Sequence, residues 1–160
     1  MVIRLSKTLL IAAMAALFGL VVLNNVIDYD SNLAFVRHVL SMDTTFPGNK
    51  LMWRAVTAPW IHHVFYITIV LWESAACGLL GLGAWRLWRA RAATPDGFQR
   101  AKTLATAGLT MSALLWLLAF LVVGGEWFVM WQSSVWNGQT AAGRMFEVTG
   151  IILIFLAVKE

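Results

Sequence analysis

One cysteine, three prolines and two tyrosines are found among 160 residues, and charged side chains make up only 12% of the chain. Cys77 has no second thiol to oxidise with, which excludes an internal disulfide. No Cys-x-x-Cys or Cys-x-x-Cys-His exists to hold zinc, an iron–sulfur cluster or covalent haem. Cys77 lies inside an apolar run and reads as a small packing residue. The scarcity of charge excludes a disordered chain, which needs the opposite composition. It also sets the chain apart from soluble domains, which carry about 25% charged residues. The phosphate loop Gly-x-x-x-x-Gly-Lys, the elbow Gly-x-Ser-x-Gly and the zinc motif His-Glu-x-x-His are all missing. No nucleophile sits beside a base and an orienting group, so no residue set argues for an enzyme. No cofactor is expected either.

What is abundant is apolar surface. Hydrophobic residues make up 60% of the chain and nine are Trp, a residue that favours membrane interfaces. The mean hydropathy is +0.74. The length suits a single integral membrane domain, 1–160. Four runs read as transmembrane helices. The first, 8–27, is 20 uncharged residues, roughly 30 Å as a helix and one hydrocarbon thickness. Arg4 and Lys7 precede it as they would in a signal peptide, but no small-residue cleavage site ends it, so it reads as a retained anchor. The second, 61–85, is interrupted by Glu73 and closed by Arg86, Arg89 and Arg91. The third is 103–125. The fourth, 141–158, reaches spanning length only by admitting Arg144 and Glu147, three residues apart on one helix face. The expected fold is all-α: a four-helix transmembrane bundle with a long, ordered extracytoplasmic loop between its first two helices.

The net charge is +4. Its basic residues cluster beside apolar runs, which fits anionic lipid and topology rather than nucleic acid. The N-terminus, the 86–102 loop and the C-terminus together carry eight Lys and Arg, against four in the 28–60 and 126–144 segments. The positive-inside rule then predicts a multi-pass protein with both termini cytoplasmic. Trp85 and Trp88 would mark one interface, and Trp53, Trp60, Trp127, Trp131 and Trp136 the other. Small residues four apart (Ala12/Ala16, Ala15/Gly19, Ser74/Gly78, Gly108/Ser112) allow close helix approach.

The 28–60 loop is rich in aliphatic and aromatic residues. Ser31 or Asn32 is placed to cap a short helix over 33–42, with Leu33, Val36 and Leu40 on one face. Such a helix either lies on the membrane surface or covers a cavity.

The second span carries a polar stripe. With His62 at zero on a wheel of about 100° per residue, Tyr66 falls near 40° and Glu73 near 20°. A lipid-facing carboxylate costs about 2.5–3.5 kcal/mol, so Glu73 either carries a proton or pairs, with Arg144 or with a neutral donor. Asn24, Asn25 and Asp28 end the first span, Glu126 ends the third, and Arg144 and Glu147 lie in the fourth. All four helices are therefore expected to bring polar groups to one half of the bundle. That cluster suits a structural network fixing helix register, a pocket for quinone or lipid, or a proton or solute path. The only histidines, His38, His62 and His63, lie on one side, which leaves bis-histidine haem without ligands across the bundle. No metal-ligand spacing is recognisable.

The run Asn24-Asn25-Val26-Ile27-Asp28-Tyr29-Asp30-Ser31-Asn32 is distinctive, as is Phe35 through Arg37-His38 to Asp43-Thr44-Thr45-Phe46-Pro47. With Trp53-Arg54, Glu73, Gly125-Glu126-Trp127-Phe128 and Trp136-Asn137-Gly138-Gln139, they resemble the bacterial predicted small integral membrane proteins, catalogued as domain of unknown function 2165. The resemblance implies a four-helix protein of the bacterial cytoplasmic membrane. It brings no activity, and no roles for the motif positions Tyr29, Asn32, His38 and Asp43. The leading expectation is an accessory or structural subunit of a larger membrane complex. The alternatives are a small transporter or proton conductor using Glu73, and a quinone- or lipid-binding accessory of an electron-transfer complex.

Overall fold

The computed structural model describes residues 1–159. Helix α1 (Val2–Ile27) is followed by α2 (Tyr29–Ser41), α3 (Pro59–Arg89), the short α4 (Pro95–Ala101), α5 (Thr103–Leu114) and α6 (Gln139–Ala157). Helix α5 continues without a break into π-helical turns over Leu115–Trp127. Four segments are long and apolar enough to cross a membrane: Val2–Ile27, Pro59–Arg89, Pro95–Trp127 and Gln139–Ala157. The first three contain the runs read from the sequence and extend beyond them at one end or both, while the fourth starts two residues before the 141–158 run and stops one residue short of its end.

Helix α3 is central, packed mainly on α1 and α5, and α6 lies against α5 and its π-helical continuation. Glycine allows the closest of these approaches. A Cβ at Gly83 would stand 2.6 Å from the Ala105 backbone nitrogen, and one at Gly108 would stand 2.9 Å from the Leu80 side chain. Of the small-residue pairs, Gly108/Ser112 is buried in this contact, while Ser74/Gly78 and Ala12/Ala16 face outward. Cys77 packs against α1, its thiol 3.4 Å from the Ala15 carbonyl.

The start of α1 and the end of α6 lie at one end of the bundle. There Lys7 and Lys102, 1% and 3% exposed, each donate to the Val158 carbonyl at the end of α6. Cations suit that position, where a helix presents its unpaired carbonyls. Arg4 donates to the carbonyls of Arg91 and Ala93.

The opposite end carries the 28–58 connection. Asp28 ends α1 and begins α2 at once, so α2 starts three or four residues earlier than a cap at Ser31 or Asn32 would give. The Asn32 amide instead donates to the Asp28 carbonyl at 2.9 Å. Helix α2 buries Val36, Val39 and Leu40 among Tyr66, Phe128, Val129 and Met130, and stops at Met42, whose φ is +54°. The expected apolar face is therefore turned onto the bundle. Trp60 begins α3 and Trp85 and Trp88 end it, roughly 37–42 Å apart along the helix, and all three are exposed. Arg54 sits over Trp53 and Trp127, 5.2 and 4.7 Å from the ring centroids.

Candidate functional site

His62, Tyr66 and Glu73 lie four and seven residues apart on α3, which sets them on one face of the helix. All three are buried, at 4%, 2% and 2% exposure. Each finds a partner outside α3, two of them at the same residue of α1. The Asn25 side-chain amide on α1 donates to Glu73 Oε2 at 2.6 Å. The Tyr66 hydroxyl donates to the Asn25 backbone carbonyl at 2.7 Å. His62 Nε2 lies 2.7 Å from the Val56 carbonyl, which only an N–H can approach in that way, so this nitrogen carries the proton. Glu73 lies about 21 Å along a helix of roughly 46 Å, near its middle. The neutral donor on another helix is thus Asn25, not Arg144.

Further aromatic contacts extend the cluster toward the surface. The Tyr29 ring meets Tyr66 edge to face at 4.8 Å, and its hydroxyl is hydrogen-bonded to His63 Nδ1 at 2.7 Å. His63 is exposed. Glu73, Asn25, Tyr66, Tyr29 and His63 therefore form a polar and aromatic succession from mid-span to the end carrying α2. His63, one residue past His62, points about 100° away from the stripe, and only the fold of α2 over α3 gives it a partner.

The other candidates are not brought into this cluster. Asn24, Asp28, Glu126, Arg144 and Glu147 are all exposed. The expectation that four helices contribute polar groups to one interior network narrows to two, α1 and α3. Helix α6 turns Ala142, Thr149, Ile152 and Leu156 inward, which sends Arg144 and Glu147 to the opposite side. Neither forms a hydrogen bond or ion pair among the described residues. A second polar group lies in the connections at the α2 end. His38 Nδ1 is 2.8 Å from Asp43 Oδ2, and its ring stacks on Trp136 at 4.5 Å with an 11° tilt. These contacts pin the end of α2 to the segment before α6.

Lys7 and Lys102 were not singled out from the sequence. The signal was present: Lys7 shares a stripe with Ile11, Met14 and Phe18, and Lys102 one with Ala105, Leu109 and Ser112, all buried. Among the described residues no three His, Cys, Asp or Glu side chains gather as a metal ion would need. A groove of ≈ 300 Å³ runs between α3 and the π-helical segment, lined by Phe65, Ile69, Trp72, Leu118 and Val123 among others. Its lining residue Thr68 already donates to the Val64 carbonyl, so the groove offers an apolar chain a shape without polar recognition.

The family model for the predicted small integral membrane proteins, DUF2165, matches residues 3–159. The chain belongs to that family. No curated protein and no solved structure matches it significantly. Family and fold agree: this is an integral membrane protein whose apolar helices sit in a lipid bilayer.

Proposed function

We propose that this family member is a non-catalytic membrane protein that works by assembly, as an accessory or structural subunit of a membrane complex. The observation that carries the reading is the exposed position of Arg144 and Glu147 within α6. They lie about 7.5 and 12 Å from the start of that helix. A charge near the bilayer centre costs about 2.5–3.5 kcal/mol on the lenient insertion scales. Arg144 can lift its head toward the interface, but the shorter Glu147 is deeper. Both charges are relieved when another transmembrane helix covers them. The buried His62, Tyr66 and Glu73, by contrast, already have hydrogen-bond partners within the chain.

The proposal includes an orientation in the bacterial cytoplasmic membrane, with both termini cytoplasmic and α2 on the far side, drawn from the distribution of Lys and Arg. Purification from native membranes in mild detergent, without crosslinking, tests the assembly reading. A stoichiometric oligomer or partner supports it, and a solitary monomer overturns it.

The succession from Glu73 to His63 favours a second reading, a proton or solute path opening at the α2 end. Liposomes carrying the protein and an internal pH dye decide it. Flux that Glu73→Gln abolishes would support the path, and absence of flux would remove it.

A further inference from the structure

The outward face of α6 has a regular pattern. Thr140, Arg144, Glu147, Ile151 and Ile154 are all exposed and spaced alternately four and three residues apart, the repeat with which two helices hold one seam together. Ile151 and Ile154 are 67% and 71% exposed. Gly143 and Gly150 flank this seam, and a Cβ added at either would meet nothing within 4 Å. On a wheel with Glu147 at zero, Arg144 and Ile151 lie about 40–60° to one side and Gly143 and Gly150 about 40–60° to the other.

We propose that this face docks a second copy of the chain, α6 against α6, about a two-fold axis along the membrane normal. The inference rests on the assembly reading above and names its partner. Charge complementarity selects a copy over an unrelated helix. The seam carries one positive and one negative side chain and is neutral as a whole. A two-fold axis brings the +60° flank of one helix against the −60° flank of the other. Arg144 of each copy then lies over the glycine flank of its neighbour, where no side chain obstructs it, and reaches Glu147 of that neighbour. Two ion pairs result, one on each side of the axis, and every charge on the seam is answered once. Lipid tails solvate aliphatic side chains as well as a helix does, so the small residues and the charges drive the association and the isoleucines only fill it.

Disulfide crosslinking of the full chain in native membranes, in a Cys77→Ser background, tests this directly. Ile154→Cys near the axis is expected to give a dimer band about tenfold stronger than Leu20→Cys on α1 or Leu82→Cys on α3, both also exposed. Added to Ile154→Cys, Arg144→Glu is expected to lose the band, and Arg144→Glu together with Glu147→Arg to regain it. Because Ile154→Cys leaves the charges intact, the first comparison stands even where a single reversal fails to fold. No band at 154, or equal bands at 154 and 82, overturns the dimer. A crosslink to a different protein overturns the dimer and leaves the assembly reading in place. A monomer both here and in native purification overturns both.

Discussion

Asn25 and Glu73, on different helices and 48 residues apart in sequence, meet at 2.6 Å inside the bundle, with the carboxyl group 2% exposed. The same asparagine receives the Tyr66 hydroxyl on its backbone carbonyl. One residue of α1 thus holds two turns of α3 in register. A one-turn slide of α1 along α3 would break both bonds at once, which apolar ridges alone do not enforce.

Removing one member of this pair is expected to cost more than altering both. Asn25→Ala leaves the carboxyl group buried without its donor, a loss of about 1–3 kcal/mol. Glu73→Gln keeps an oxygen that accepts from Asn25 and is expected to cost about 1 kcal/mol or less. Replacing both by leucine removes the buried polar groups together and is expected to lie closer to the native protein than Asn25→Ala does. Thermal unfolding in detergent gives the order. Glu73→Gln less stable than Asn25→Ala would refute the account.

Glycines in this bundle divide by what surrounds them. Gly83→Ala drives a methyl group to within 2.6 Å of the Ala105 backbone, so α3 and α5 must separate. Overpacking of this kind costs about 1–3 kcal/mol. Gly78→Ala and Gly81→Ala point into open space and are expected to change stability by about 0.5 kcal/mol or less. Parallel melting curves of the three variants check this, and equal losses at all three positions would contradict the α3–α5 contact.

How much of this could be read from the chain depended on whether one helix sufficed. The four apolar runs located the spans, because each needs only its own length and hydropathy. The shared face of His62, Tyr66 and Glu73 was also legible, since a wheel fixes angles within one helix. It does not say which side the neighbours occupy. Helix α6 shows the difficulty: Ala142, Thr149, Ile152 and Leu156 form a stripe as regular as Thr140, Arg144, Glu147 and Ile151. Only packing against α5 makes the first the interior one. The pairing of Glu73 with Asn25 was open for the same reason. The π-helical turns over Leu115–Trp127 carry no periodicity that separates them from an α-helix in a uniformly apolar run. The early start of α2 at Tyr29 comes from Asp28 serving two helices, a corner that capping preferences at Ser31 and Asn32 do not anticipate.

Thr149 is 0% exposed, and its hydroxyl finds no partner among the described residues. Valine has nearly the same shape without the polar oxygen. A buried hydroxyl lacking a hydrogen bond costs about 1–3 kcal/mol by mutational scales, so Thr149→Val is expected to stabilise the bundle by about 1 kcal/mol. Ser112, equally buried, donates to the Gly108 carbonyl at 2.8 Å. Ser112→Ala gives up that bond and is expected to be neutral or destabilising. A lower melting temperature for Thr149→Val than for the native chain would mean that the hydroxyl is bonded after all.

The proposed orientation makes the last prediction, and single cysteines in a Cys77→Ser background read it out. Lys50 and Pro95 are exposed and belong to connections at opposite ends of the bundle. Five basic residues, Arg86, Arg89, Arg91, Arg100 and Lys102, surround the second connection. Translocating such a short basic loop opposes the positive-inside bias, so Pro95→Cys is expected to stay on the cytoplasmic side. A membrane-impermeant maleimide added to intact cells should label Lys50→Cys and spare Pro95→Cys until the membrane is opened. The reverse pattern would invert the protein and place α2, with its His38–Asp43 pair, in the cytoplasm. Labelling of both from outside would break the four-span topology itself, since α3 separates the two positions.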